Sequence, residues 1–183
     1  ERTDELLSSW RTLLEQIVLA DPPGPPIKDV LAARARAAHR ALVKTGRGVA
    51  GDHAERGGLP GAPSAELHAL RRRGKELRYL LEGVRTLCVP ETYADLYADL
   101  KALHDALGAV QDAAVVAAEL RAVSIGLLRG RSRTALDAVL AAGALGDRVR
   151  AREREIRAAL PGAFAALDSP RTAERVAVLV DRR

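Results

Sequence analysis

The sequence predicts an all-α protein, folded as an antiparallel bundle of helices. Of its 183 residues, 48% are hydrophobic but only 3% are aromatic, so the core must be built mainly from Ala, Leu and Val. These residues suit close helix packing better than an aromatic-rich sandwich of sheets. Apolar residues also recur at spacings of three and four through most of the chain, which is the helical period. The length is sufficient for a single domain with a substantial core, and we predict one over 1–183.

The first half of the chain contains three predicted helices. Apolar residues at helical spacing, Trp10 among them, predict the first helix over 4–20, and the DPPGPP segment ends it. The second helix runs from 27 to about 46. The following segment, 47–63, is rich in Gly and Pro, and we predict a flexible loop there. Ser64 is the expected N-cap of the third helix, which runs to about 89.

The second half contains one long and three shorter predicted helices. Pro90 suits the first position of a helix, and the apolar period continues from there to about Leu128. Gly108 lies inside this helix at a cost of about 1 kcal/mol relative to alanine, which indicates a kink or a close helix contact. Turn-forming residues then separate three predicted helices, over 132–142, 146–160 and 170–181.

The chain is basic, with a net charge of +5, and only four of its 29 basic residues are lysine. Arginine excess suits phosphate recognition, but a GC-rich genome also favours Arg, Ala, Gly and Leu. Both explanations remain open, so a functional interpretation must depend on where the cations lie.

Cysteine and methionine usage bear on the compartment and on the extent of the chain. Cys88 is the single cysteine, which excludes an internal disulfide and a cysteine zinc site and indicates a reducing compartment. No apolar run is long enough for a membrane span, so we expect a cytoplasmic protein without a membrane partner. Methionine is absent, even at position 1, and we therefore expect the sequence to be part of a longer protein.

The third helix carries the most informative pattern, a stripe of cations with one imidazole. At about 100° per residue, the stripe residues fall within an arc of roughly 80°, with Arg72 and Tyr79 at its edge, and the leucines of the helix are expected on the opposite side. This arrangement predicts polyanion binding. We call these residues the basic stripe: His68, Arg71, Lys75 and Arg78.

A second row of basic side chains recurs at helical spacing along the second helix. It predicts either a second basic wall of the same site or a solvated arginine surface, and the sequence alone leaves both open. The row comprises Arg36, Arg40, Lys44 and Arg47, with His39 next to it.

Two linked motifs resemble those of a known family. The first, H-x-x-R-x-x-x-K-x-x-R-Y, runs from His68 to Tyr79, and the second, L-K-x-L-H-x-x-L-G-x-x-Q-D, runs from Leu100 to Asp112. Together they resemble the CHAD family of histidine-containing α-helical domains, in which tandem four-helix repeats surround a basic cavity that binds inorganic polyphosphate. The resemblance is specific over about 27–128. The family carries this motif once in each repeat, and only one complete copy is present here. The resemblance therefore implies that 1–20 is the tail of a first repeat and that 27–183 is the second repeat.

The resemblance implies a binding site for inorganic polyphosphate. We expect no cofactor, and no metal because the sequence has no H-E-x-x-H motif and no pair of histidines at i, i+4 spacing. Lys101 and His104 would form the facing wall, and His68, among cations, predicts binding that strengthens as the pH falls. The residues implied in polyphosphate binding are His68, Arg71, Arg72, Lys75, Arg78, Tyr79, Arg36, His39, Arg40, Lys44, Lys101 and His104.

We expect a non-catalytic binding module, with two alternatives. The same cations could bind RNA, although the basic stripe carries Tyr79 as its single aromatic residue for base stacking. The chain could also be the accessory domain of a polyphosphate or triphosphate hydrolase, with a linked triphosphate-processing domain as partner and polyphosphate granules as a cellular location. The segment from Glu153 to Arg157 approximates the E-x-E-x-K motif of such enzymes, but its surroundings predict a charged helix instead of a metal-binding strand.

Overall fold

The computed structural model describes Trp10, Thr12 and the ranges 24–129 and 135–179. Within these residues the chain forms five α-helices and no β-strand, which confirms the predicted all-α bundle. The helices are α1 (Ile27–Asp52), α2 (Ser64–Val84), α3 (Pro90–Arg129), α4 (Ala135–Leu167) and α5 (Pro170–Ala177).

Each long helix packs against the next one in the sequence, and α5 closes the bundle against α1 and α3. The core is almost entirely aliphatic, as the composition predicts. Cys88 belongs to it, with Sγ donating to the Val84 carbonyl at 3.2 Å, and burial raises the pKa of this thiol. The largest fully buried side chains include Leu42, Leu70, Leu77, Leu81, Leu96, Leu100, Leu103, Leu160, Leu167 and Leu179.

Helix α1 extends six residues beyond its predicted end, because Gly46 is a packing contact and not a helix stop. The ring of Phe164 on α4 lies directly against Gly46, so a β-carbon built there would be 2.1 Å from Cε2 of that ring. Glycine is thus required by the approach of a neighbouring helix, and the helical hydrogen bonding continues through it to Asp52.

The segment predicted as a flexible loop, 47–63, is folded against the bundle, and the loop prediction is wrong for 47–52, which are helical. Two short 3-10 turns follow, joined by Gly57 and Gly58 with φ values of 87° and 74°, a region that favours glycine. Leu59 is buried, and Arg157 of α4 donates to the carbonyl of Ala62 at 2.8 Å. Burial and this hydrogen bond order a segment whose composition indicates a loop.

The ends of α2 differ from the prediction. The helix begins at Ser64, but no side-chain hydrogen bond caps it, and the Ser64 hydroxyl lies 3.2 Å from Nη2 of Arg157, from which it accepts. It ends at Val84, five residues before the predicted end, and the 3-10 turn Arg85–Leu87 leads to α3. The prediction that α3 begins at Pro90 and runs to about 128 is confirmed, and the helix continues through Gly108.

Over the described residues 135–179, the C-terminal part forms two helices instead of the three predicted. Helix α4 continues through Gly143 and Pro161, both of which we had expected to end a helix. Leu160 and Phe164, on either side of the proline, are buried in the core. Their packing offsets the backbone hydrogen bond that Pro161 cannot make.

The predicted helix over 4–20 lies outside the described residues except for Trp10 and Thr12, both of which are helical. The helical spacing that predicts this helix places Trp10 on its core-facing side, but Trp10 is 58% exposed, so it does not lie in the core. Among the described residues, no helix combines the length and apolar character needed to cross a bilayer.

Candidate anion-binding groove

Helices α2 and α3 run antiparallel, and the residues of the two sequence motifs face each other along their line of contact. Nδ1 of His68 donates to Oε1 of Gln111 at 3.0 Å. One turn further along α2, the guanidinium of Arg71 lies over Gly108, with Nε and Nη2 both 3.6 Å from the position of a β-carbon there. Gly108 thus faces Arg71 of α2 at an ordinary van der Waals distance. We call this line of contact the α2–α3 groove.

The three cations of the basic stripe are partly buried in this groove. The prediction that the stripe lies opposite the leucine face of α2 is wrong, because the two faces are adjacent. The centres of the two faces are about 110° apart around the helix axis. Arg71 and Arg78 are nearest to the leucine face, and both are partly buried, as is Lys75. Packing against α3 thus holds these cations in place, which an isolated solvated face would not do.

His104 projects from α3 among the cations of the stripe. Burial lowers its pKa, and the positive charges of Arg71, Arg78 and Lys75 lower it further against the opposing effect of Asp105. The imidazole is therefore neutral at neutral pH when no anion is bound.

The positive charge of the groove is poorly balanced by the protein itself. Of the stripe cations, Arg78 has Glu82 at 3.8 Å and lies 5.1 Å from the centre of the Tyr79 ring. Within the described ranges, Arg71 and Lys75 form no ion pair. Among the described residues, Glu82 is thus the carboxylate nearest to the stripe, one helical turn beyond Arg78.

Three buried nitrogen atoms of the groove have no hydrogen-bond partner among the described residues: Nε of Arg71, Nε of Arg78 and Nδ1 of His104. A buried polar group without a partner costs about 1–3 kcal/mol. Such groups are rare in folded proteins, and their concentration at one place points to a partner that is not part of the protein.

A family model described as the CHAD domain matches residues 1–121, about two thirds of the chain. The chain belongs to the CHAD family. The resemblance deduced from the two motifs is thereby confirmed, and the family is associated with the binding of polyphosphate and triphosphate. The matched region contains all of the α2–α3 groove and ends within α3. A comparison with curated proteins finds no match.

The other predicted residues of the stripe and of its facing wall lie at the rim of the α2–α3 groove. His68, Arg72 and Tyr79 are exposed on α2. Lys101 is exposed on α3 and forms an ion pair with Asp105, with Nζ 2.5 Å from Oδ2. The rim residues can reach a bound polymer, but packing does not hold them in place as it holds the residues inside the groove.

The structure places the predicted second basic wall on a different face of the bundle. His39 is buried, and its Nε2 donates to the Leu167 carbonyl at 2.9 Å, so it has a structural partner. Arg40 and Lys44 line a cavity of about 490 Å³ between α1 and the α4–α5 turn, where Asp168 forms a bidentate pair with Arg47. The partly buried Arg36 is on the same helix. These residues therefore do not face the groove.

Sequence reasoning missed two aromatic residues beside the groove, Tyr93 and Tyr97 on α3. Their rings stack with centroids 5.5 Å apart and planes 17° apart. The hydroxyl of Tyr97 donates to Oε1 of Glu82 at 3.0 Å, which places the pair at the Glu82 end of the groove. The i, i+4 spacing of two tyrosines on one helix was the signal that could have revealed them.

Two other features bear on possible chemistry. Among the described residues, no group of three His, Cys, Asp or Glu side chains is close enough to hold a metal ion. The E-x-E-x-K-like segment lies inside α4, where Arg157 pairs with Glu153 at 2.8 Å and Arg152 pairs with Glu155 at 2.9 Å. Its interpretation as a charged helix is confirmed.

Proposed function

We propose that the α2–α3 groove binds inorganic polyphosphate and that the chain is a binding module without catalytic activity of its own. One observation carries the proposal: Arg71, Lys75 and Arg78 surround the neutral imidazole of His104, and the protein provides little negative charge to balance them. A polyanion in the groove supplies that charge and gives acceptors to the unpartnered donors.

The proposed mechanism is electrostatic. The stripe from Arg71 to Arg78 extends about 10 Å along the helix axis, so one polymer chain can meet its cations in succession. Each contact replaces a counterion of the polymer with a charge-assisted hydrogen bond. The groove reads the spacing of charge and no base sequence, which is what a repetitive inorganic polymer requires. The Glu82 carboxylate is held by Arg78 and Tyr97, which suits a structural role better than acid–base chemistry.

A titration with long-chain polyphosphate over a series of KCl concentrations tests the proposal. Neutralisation of about three phosphates predicts a slope of about −2 for log affinity against log salt concentration. Unstructured RNA, added at equal phosphate concentration, should compete weakly because the groove offers no Phe, Tyr or Trp ring between its cations for base stacking. An affinity that does not change with salt concentration would contradict the proposal, and so would RNA that displaces polyphosphate at equal phosphate concentration. Orthophosphate release in the presence of Mg²⁺ would disprove its non-catalytic part.

Binding is expected to strengthen as the pH falls from about 8 to about 6, and His104 should be the cause. Bound polyphosphate offsets the cations that lower the imidazole pKa, so the bound state takes up a proton that the empty state does not hold. Each unit by which the ligand raises that pKa allows up to about a tenfold gain in affinity at low pH. Affinity measured across this range should lose its slope in His104→Gln.

The sequence predicts this pH dependence for His68, but His68 lies at the exposed end of the groove and His104 lies among the cations, so His68→Gln is the control. Long polymer should be used, since its internal phosphates do not titrate in this range and the protein alone changes charge. An unchanged pH profile in His104→Gln, or an equal change in His68→Gln, would show that His104 is not the linked group.

A further inference from the structure

A second cavity adjoins the groove at its Glu82 end. It has a volume of about 850 Å³ and lies between the end of α2 and the first turns of α3. We call it the tyrosine pocket, after Tyr93 and Tyr97 in its wall, and it also exposes Arg85 and Lys101. Its size is in the range of sites for small organic molecules.

The tyrosine pocket presents aromatic surface together with positive charge. Tyr93 and Tyr97 are only partly buried, and their stacked rings form part of its wall. The guanidinium of Arg85 lies 5.9 Å from the centre of the Tyr93 ring. A flat aromatic group can stack on such a surface, and the arginine can contribute a cation–π contact to it.

Glu82 lies at the boundary between the tyrosine pocket and the groove and contacts a residue of each. Its Oε1 lies 3.8 Å from Nη1 of Arg78 on the groove side and accepts a hydrogen bond from Tyr97 on the pocket side. A carboxylate at this place repels phosphate, so a phosphate chain lying along the stripe is favoured up to Arg78 and disfavoured beyond it. Past Glu82, the stacked rings of Tyr93 and Tyr97 provide a surface on which an aromatic group can stack.

We propose that the groove and the tyrosine pocket together bind a nucleoside polyphosphate. Its phosphates would lie along Arg78, Lys75 and Arg71, and its base would stack on Tyr93 and Tyr97. This inference rests on the proposed function, because it uses the same cations for the phosphates. It adds a ligand class that carries one aromatic base at the end of several consecutive phosphates.

The arrangement favours this ligand over RNA. An RNA strand carries one phosphate between successive bases, so its binding sites alternate cations with aromatic rings. Here the cations Arg71, Lys75 and Arg78 follow each other without a Phe, Tyr or Trp ring between them, and the tyrosine pocket lies at one end. Tyr79, at the rim, is already engaged by Arg78.

Calorimetric titration of the whole chain in EDTA, with ATP and with ribose 5-triphosphate, tests the inference. The two probes carry the same three phosphates and the same sugar, and only ATP has a base. ATP is expected to bind about tenfold more tightly, the usual order for one stacked base. Tyr93→Leu/Tyr97→Leu should abolish this advantage and leave ribose 5-triphosphate unchanged, because leucine keeps apolar volume but has no ring. Tyr93→Phe/Tyr97→Phe should retain the advantage.

Each outcome supports or overturns the inference separately from the proposed function. Equal affinity for the two probes, or an advantage of ATP that survives the leucine substitutions, overturns the inference while polyphosphate binding stands. Tighter binding of a short oligoribonucleotide than of ATP also overturns it and assigns the pocket to RNA. Absence of binding by both probes and by long-chain polyphosphate overturns both proposals. Circular dichroism of the variants verifies that the helical fold is intact.

Discussion

Replacement of Arg71, Lys75 and Arg78 together by glutamine is expected to weaken polyphosphate binding by at least about 100-fold. A hydrogen bond to a charged group contributes about 1.5–3 kcal/mol, and about 1.4 kcal/mol corresponds to a tenfold change in affinity. Even partial loss at three positions therefore exceeds two orders of magnitude. The affinity should be measured at one fixed salt concentration, since the salt slope should fall at the same time.

The matched control removes three arginines outside the groove: Arg121, Arg148 and Arg154, which are exposed on α3 and α4. Arg121→Gln/Arg148→Gln/Arg154→Gln causes the same loss of net charge, and we expect its affinity to stay within about threefold of the unmodified chain, because long-range attraction between exposed charges is screened by salt. If the two triple variants weaken binding equally, the groove is generic basic surface.

Removal of the stripe cations also has a consequence inside the protein. The pKa of His104 should rise toward its ordinary value, because the charges of Arg71, Lys75 and Arg78 lower it. A histidine titration by NMR would show this shift in the stripe variant and not in the control. The fold should be retained in both, since relief of repulsion between the three cations offsets the packing of their side-chain stems.

Gly46→Ala is expected to destabilise the fold by about 1–3 kcal/mol, although alanine is the better helix former. A β-carbon at this position would lie 2.1 Å from Cε2 of Phe164 and 2.3 Å from Cζ. The ring is 7% exposed, so it cannot move aside without disturbing the contact between α1 and α4. Urea unfolding measures the loss as a lower midpoint at an unchanged slope.

Gly48→Ala, two residues along the same helix, is the control for propensity. No atom lies within 4 Å of a β-carbon there, so this substitution should stabilise the fold by about 0.5–1 kcal/mol. Opposite signs at the two positions separate packing from propensity. The double change Gly46→Ala/Phe164→Leu should lower the free energy of unfolding by less than the sum of the two single changes. The smaller side chain at 164 leaves room for the added methyl group at 46. Stabilisation by Gly46→Ala would show that α1 and α4 do not pack as described.

The helical architecture was predictable because it depends on local spacing. Apolar residues at intervals of three and four produced correct predictions for α3 from Pro90 and for the charged helix around Arg157. Errors arose at glycine and proline residues, which can either end a helix or lie inside one. Gly46 and Pro161 resemble helix ends in sequence, and contacts from residues more than a hundred positions away or from the surrounding core decide otherwise.

The site was predictable in part for the same reason. The arc that joins His68 to Arg78 follows from helical geometry, and the motif from Leu100 to Asp112 places His104 on the next helix. The wall predicted on α1 faces the α4–α5 turn instead, and His39 bonds to Leu167. The direction in which α1 presents its basic side chains depends on how the helices dock, which spacing within one helix cannot specify.

By itself, the sequence determined the helices, the family and the row of cations on α2, because each depends on residues that are close in the chain. The tertiary structure alone decided that the row is half-buried against α3, that His104 lies among its cations with a lowered pKa, and that Tyr93 and Tyr97 adjoin the same groove. The physical reason is that burial and electrostatic interaction depend on distances between helices, and the packing of the shared leucine core sets those distances.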